Sequence, residues 1–197
     1  MFVDFKKAFD SLWHEKMWWA LASQGVPYKV IGILKNKYSS AEAYIKLEKK
    51  GEKFRVCRGV RQGDPLSSNI FNSVLEDVFR KLDWDERGMG IGINGKIINN
   101  LGFADDIILI SSDISEIQVM AERLNCECKK AGLEMNPSKT KIMSNTRREK
   151  EVYLEGSKIE NVDEYKYLGQ IVSFQRRADK ELKRRITKDR KRSGRIR

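Results

Sequence analysis

The sequence predicts an α+β fold, with an antiparallel sheet backed by helices. Three observations carry that expectation. Long segments keep apolar residues at helical spacing, whereas short apolar runs have the length of strands. Turn signals such as Asn94-Gly95 separate the short runs, which favours hairpins. No internal repeat or linker divides the 197 residues, so one domain with a tail is expected.

Phe2-Val3-Asp4 reads as the end of a short buried strand. Asp10 or Ser11 is placed to cap a helix running to about Ser23, ended by Gly25. Pro27 suits the first turn of a second helix, whose apolar residues are Val30, Ile31, Ile33 and Leu34. Residues 43–60 read as a hairpin turning near Lys50-Gly51. Pro65 opens a long helix, with Leu66, Ile70, Phe71, Val74, Leu75, Val78, Phe79 and Leu82 at core spacing. Residues 97–111 are apolar except where Asp105-Asp106 interrupts them. Asp113 with Glu116 has the form of a capping box for a helix ending at Gly132. Short strands are expected at 141–143, 152–154 and 167–172, and a helix at 178–186.

Hydrophobic residues make up 40% and charged residues 34%, enough for a core and too apolar for a disordered chain. No apolar run is long enough to span a membrane. Cys57, Cys126 and Cys128 cannot close a disulfide framework, so reduced thiols and an intracellular setting are expected. The net charge of +11 is uneven. Residues 176–197 hold 12 Lys/Arg and 3 Asp/Glu, leaving the preceding 175 residues at only +2. Such a tail attracts phosphate backbones through counterion release, or is simply a solvated charge run.

Asp4 and Asp105-Asp106 stand where burial should forbid acids. An ionised carboxylate among apolar neighbours is costly unless paired or bound to metal. A tight turn between two apolar strands would lift the adjacent acids to the end of a sheet, where Asp4 could meet them. Clustered carboxylates repel, and their oxygens suit Mg²⁺, which shares its coordination with substrate phosphates. Two such ions about 3.5–4 Å apart can serve phosphoryl transfer. Taken singly, Asp105-Asp106 reads better as a plain hairpin turn, and Asp4 as a strand-end acid.

Five stretches resemble, in order, the palm motifs of reverse transcriptases. They are Phe2-Val3-Asp4-Phe5-Lys6-Lys7-Ala8-Phe9-Asp10, Gly59-Val60-Arg61-Gln62-Gly63-Asp64-Pro65-Leu66-Ser67, Phe103-Ala104-Asp105-Asp106, Gly132-Leu133-Glu134-Met135-Asn136-Pro137-Ser138-Lys139-Thr140 and Tyr167-Leu168-Gly169. The style is closest to retrotransposons lacking long terminal repeats. The resemblance implies a right-hand polymerase palm over residues 1–175 and the start of a thumb over 176–197. It implies RNA-directed DNA polymerisation with an RNA template, a DNA primer and deoxynucleotide triphosphates, and Mg²⁺ as two ions with Mn²⁺ as the substitute. Asp4, Asp105 and Asp106 would be catalytic and hold metal, with the Phe5 carbonyl as a further ligand. Ala8, Phe9, Gln62 and Lys139 would meet the nucleotide, Phe9 excluding a 2′-hydroxyl. Tyr167, Leu168 and Gly169 would hold the primer end.

For Phe9 the residues alone favour a core aromatic, and Lys141 is as reachable as Lys139. Trp13, Trp18 and Trp19 read as helix packing, and His14 as structural. A complete enzyme of this family has fingers before the first motif and a thumb after the last. The chain is therefore expected to be a fragment, inactive alone. The alternatives are a dead relic that binds nucleic acid through its tail, and an RNA-templated RNA polymerase, against which Phe9 argues. A nuclear location is expected by analogy alone.

Overall fold

The computed structural model describes residues 1–46, 50–61, 63–145 and 151–174. Gln62, the basic tail and the helix expected at 178–186 lie outside the described residues.

The first strand, β1 (Phe2–Val3), is only two residues long, yet it sits in the middle of the main sheet. Two helices follow, α1 (Ala8–Ser11) and α2 (His14–Ser23), where the sequence suggested one. The break has a tertiary cause. Gly59 N–H donates to Leu12 O at 2.7 Å, Trp13 N–H donates to Ala131 O at 3.0 Å, and Trp13 forms a β-bridge with Arg58. These bonds hold Trp13 extended. Gly25 ends α2 as expected, at φ 82°, with Val26 N–H donating back to Leu21 O.

Helix α3 (Tyr28–Ser39) leads to a hairpin of β2 (Glu42–Lys46) and β3 (Lys50–Arg55). Lys46 pairs with Lys50, so Lys50-Gly51 belongs to the second strand rather than to the turn expected there. In the long helix α4 (Pro65–Leu82), Asp64 is the N-cap, accepting from Leu66 N–H at 3.1 Å, and Pro65 opens the first turn. The core face is as expected except at Leu66, which is 44% exposed while Ser67 turns inward. A ribbon of β4 (Ile91–Ile93) and β5 (Lys96–Ile98) turns at Asn94-Gly95, both at positive φ. Next come β6 (Asn100–Phe103), β7 (Asp106–Leu109) and α5 (Ile114–Lys130). Asp113 caps α5 through Ser115 N–H at 2.8 Å. The reciprocal half of the box is missing, because the Glu116 carboxylate accepts from Gly90 N–H instead. The chain continues through β8 (Lys141–Ile142), β9 (Tyr153–Leu154), β10 (Ser157–Lys158), β11 (Glu160–Asn161), β12 (Tyr165–Tyr167) and β13 (Gln170–Val172). The last two form a hairpin where a single strand over 167–172 was expected.

The main sheet has the order β11-β8-β1-β7-β6. Its β1/β7, β1/β8 and β6/β7 pairs are antiparallel, but β11 runs parallel to β8. The sheet is therefore mixed. Hairpin signals identify neighbours close in sequence, and β11 reaches β8 by a longer connection around β9 and β10. Val3, Phe5, Ile107 and Leu109 turn to one face, into a core shared with α2, α4 and α5. Cys128 is in that core, and burial pushes its thiol well above the usual cysteine range; Cys57 and Cys126 are exposed. Among the tryptophans, Trp18 packs on Tyr38, but Trp13 and Trp19 are 46% and 69% exposed, so helix packing does not describe them. Among the described residues, no helix is long and apolar enough to cross a membrane.

Two glycines clamp the turn between α1 and α2. A Cβ on Gly59 would lie 2.7 Å from Asp10 O, and one on Gly132 would lie 2.6 Å from Ser11 O. Both have φ near the left-handed region, +85° and +88°. Gly63 has a positive φ but no close neighbour, so it supplies a turn rather than a close approach. Gly132→Ala is expected to combine backbone strain with a backbone clash and to cost roughly 3 kcal/mol. Thermal denaturation checks this, with a fall in Tm of roughly 6–12 °C expected.

Candidate active site

The register of β1 against β7 decides where the acids meet. Phe2 pairs with Ile108 and Val3 with Ile107. One step further on, Asp4 follows Val3 and Asp106 precedes Ile107, so the two acids face each other across the strands. Asp105 occupies the turn between β6 and β7, and Ala104 beside it has φ 54°. This tight reversal places the pair at the strand end.

The electrostatics agree with that arrangement. The Asp106 carboxyl is raised above the usual carboxylate range, first by desolvation and then by the charges of Asp105 and Asp4. Asp4 Oδ1 is buried and has no hydrogen-bond partner among the described residues. An orphaned carboxylate oxygen beside two further acids is an all-oxygen donor set suited to a hard cation. Even so, among the described residues no three His, Cys, Asp or Glu side chains form a ready metal cage. The set fits an ion that completes its shell with water and phosphate oxygens.

The backbone around Asp4 is fixed from the other side. Asn136 N–H donates to Asp4 O at 2.7 Å, Lys6 N–H donates to Glu134 O at 2.8 Å, and Asp4 N–H donates to the buried Thr140 Oγ1 at 3.2 Å. Phe5 bridges to Met135 between the first two bonds, so its own carbonyl faces away from the 134–136 segment. Lys139 is exposed in the turn closed by Asn136 O, whereas Lys141 is engaged by Glu160 at 2.8 Å. The two lysines are thus not equivalent.

Ala8 is buried, only 4% exposed. Phe9 is half-buried and stacks on Phe71 of α4, with ring centroids 4.6 Å apart. Val60 N–H donates to Phe9 O at 2.7 Å, tying the 59–67 segment to the ring's backbone. His14 is structural, its Nε2 3.0 Å from Gly59 O.

The hairpin of β12 and β13 reaches the same face as the acids. Phe2 and Asp4 share that face by strand alternation. Tyr165 stacks on Phe2 at 4.1 Å, and Tyr167 lies 6.1 Å from it. Tyr167 O–H donates to Asp106 O at 3.2 Å. Leu168 and Gly169 form the turn at φ 46° and 82°, and Leu168 is 50% exposed at its tip. Tyr165, Phe2 and Thr140 are residues that sequence reasoning missed. Tyr165 is two residues before the Tyr-Leu-Gly stretch, a strand-alternation signal that could have found it. Its phenol is raised by burial, then by Asp4 and Asp106.

Residues 1–172 match the family model described as reverse transcriptase (RNA-dependent DNA polymerase). A Pol polyprotein from the type-1 retrotransposable element R2 of Nasonia vitripennis is 32% identical over 85% of the chain. One from the type-2 element R2DM of Drosophila melanogaster is 29% identical over 85%. The chain spans about 17% of the length of each. A putative transposon-derived protein of Caenorhabditis elegans is 35% identical over 47% of the chain and 35% of its own length.

Tyr167→Phe removes one hydrogen bond and keeps the ring. We expect it to lower stability by about 1 kcal/mol and to loosen the hairpin locally. Amide exchange at residues 165–172 checks this, and faster exchange there than in α5 is expected.

Proposed function

Because the chain belongs to the reverse transcriptase (RNA-dependent DNA polymerase) family, we propose that it forms the palm of an RNA-directed DNA polymerase of a retrotransposon without long terminal repeats. The observation that carries the reading is the β1/β7 register, which sets Asp4 against the Asp105-Asp106 turn. In this reading a primer 3′-oxygen attacks the α-phosphate of a deoxynucleotide and pyrophosphate leaves. Template RNA, primer DNA and deoxynucleotide triphosphates are the partners.

Asp4, Asp105 and Asp106 would hold Mg²⁺, as two ions replaceable by Mn²⁺, with the Phe5 carbonyl as a neutral ligand. When bound, the metal supplies positive charge to the attacking and leaving oxygens. The chain's own residues supply position. Phe9, braced from behind by Phe71, would present a ring under the sugar and refuse a 2′-hydroxyl. Ala8 would contribute through its backbone, since its side chain is buried. Lys139, exposed beside the Asn136 turn, would neutralise triphosphate charge. Gln62 belongs to the same proposal from sequence alone. Tyr167, Leu168 and Gly169 would seat the primer end, with Leu168 at the exposed tip. The tail 176–197 would open the thumb and add phosphate contacts, and a nuclear location accompanies the reading by analogy.

Two experiments test it. Tyr165 lies close enough to the acids for their charges to raise its phenol, so a bound terbium ion should luminesce on tyrosine excitation. We expect that signal in the chain as it stands, its displacement by Mg²⁺, and its loss in Asp4→Asn. In a polymerase built on this palm, Asp105→Asn should lower primer extension about a thousandfold or more. A terbium signal unchanged by Asp4→Asn, or near-normal extension by Asp105→Asn, moves the chemistry elsewhere. For Phe9, the measure is the ratio of deoxynucleotide to ribonucleotide incorporation. Phe9→Ala should lower that ratio about tenfold or more while slowing deoxynucleotide use less; an unchanged ratio leaves Phe9 as a core aromatic.

A further inference from the structure

Among the described residues, the buried polar side chains are Ser67, Asn99, Asn125 and Thr140. Thr140 is the most enclosed, at 0% exposure. A hydroxyl taken out of water costs free energy unless a hydrogen bond compensates, and a valine would fill similar space without that cost. A threonine here therefore needs a polar task. The other three bond within their own neighbourhoods, to Arg61 O, Asp85 and Glu155. Of the four, only Thr140 reaches the acids.

The reason lies in how the ladder between β1 and β8 ends. Met1 and Leu109 exchange both backbone hydrogen bonds, at 2.7 and 2.8 Å. In an antiparallel pair such residues alternate with ones that do not exchange bonds. Val3 therefore turns its N–H and C=O to β7, whereas Phe2 and Asp4 turn theirs to β8. Phe2 pairs there with Lys141. Asp4 lies two residues further on, where a continued ladder would bring Lys139 opposite. The chain has left the strand direction by then. Lys139 N–H and Thr140 N–H both donate to Asn136 O, at 3.2 and 2.9 Å, and close a turn over 136–140.

Thr140 Oγ1 stands in for the ladder carbonyl, accepting from Asp4 N–H at 3.2 Å. On the other side of the residue, Asn136 N–H donates to Asp4 O at 2.7 Å. One turn thus grips both backbone groups of Asp4. The Asn136 bond is backbone to backbone, so its side chain is not what makes it. The Thr140 bond exists only because a hydroxyl stands at that position.

We propose that Thr140 is a positioning residue for the cation site, its hydroxyl fixing the Asp4 backbone so that the carboxylate is already oriented toward Asp105 and Asp106 when a cation arrives. The proposal rests on the polymerase reading, because it takes Asp4 as a metal ligand. Asp4 Oδ1 has no partner among the described residues, so the direction of the carboxylate comes from the backbone that carries it. A ligand held in place beforehand binds without further loss of freedom, whereas a loose one must first be ordered, which lowers affinity. Thr140 acts through Asp4 and touches neither cation nor substrate.

The test is titration of the full chain with terbium, read as luminescence on tyrosine excitation, with affinity taken from the midpoint rather than the amplitude. Thr140→Val, which keeps the branched shape and deletes the hydroxyl, should weaken terbium binding about tenfold. Thr140→Ser, which keeps the hydroxyl, should stay within about twofold of the wild type. Thr140→Cys, with only a weak sulfur acceptor, should fall between the two and decides the matter if Thr140→Val does not fold. Val74→Ala, a core truncation in α4, should lower Tm without moving the midpoint, which separates positioning from stability. In EDTA, with no metal present, the Asp4 amide should exchange with solvent faster in Thr140→Val than in Thr140→Ser. A wild-type midpoint in both the Val and Cys variants, an equal loss in Thr140→Ser or Val74→Ala, or unchanged exchange at Asp4 would overturn the proposal. A wild-type chain that binds no terbium, while Asp4 exchange still depends on Thr140, would instead overturn the metal reading and leave Thr140 a structural residue.

Discussion

The structure depends on the register of a two-residue strand. Phe2–Val3 is flanked by β7 on one side and β8 on the other. Alternation along it sends Val3 and Phe5 into the core and Phe2 and Asp4 to the opposite face. A slip of one residue would exchange these sets, burying a carboxylate and exposing Val3. The apolar cost of that exchange protects the register. What positions the carboxylate is thus the hydrophobicity of its neighbours and the backbone bonds to Thr140 and Asn136, while Asp4 Oδ1 is left without a partner among the described residues.

The same logic explains how separate segments arrive at one place. Gly59 and Gly132 press against the backbone of the α1–α2 turn from two directions. The first belongs to the stretch that leads into α4, the second to the stretch that reaches Thr140. Both stretches also bond to residues 4–12, through Val60 N–H to Phe9 O and Asn136 N–H to Asp4 O. The β12/β13 hairpin closes from a third side by stacking Tyr165 on Phe2. Segments far apart in sequence are thus fastened to one short loop, and most of the fasteners are backbone groups that almost any side chain would permit.

This also sets the limit of what could be read from sequence. The long helices, the Asp64-Pro65 start and the Asn94-Gly95 turn were legible because each depends on local periodicity or turn chemistry. The meeting of Asp4 with Asp105-Asp106 was foreseeable because apolar flanks mark acids that need a special setting. The break at Leu12-Trp13 was not, since it is imposed by Gly59 and Ala131. The parallel β11/β8 pair was not, since long connections leave no local mark. Tyr165 escaped notice although its alternation with Tyr167 was readable, because residues 167–172 read as one strand rather than as part of a hairpin beginning at Tyr165.

A strand that begins the sheet but pairs late has a cost during synthesis. Phe2–Val3 takes its neighbours from residues 107–108 and 141. At about 5–20 residues per second a ribosome needs many seconds to deliver the second edge. Throughout that time an apolar segment with strand propensity stands unpaired, the kind of sequence that associates with other chains. Asp4 follows it immediately, and Lys6 and Lys7 come next. Charges at such a boundary act as gatekeepers against aggregation. The acid that is awkward in the finished sheet thus also sets a charge at the edge of a short apolar segment before its partners emerge.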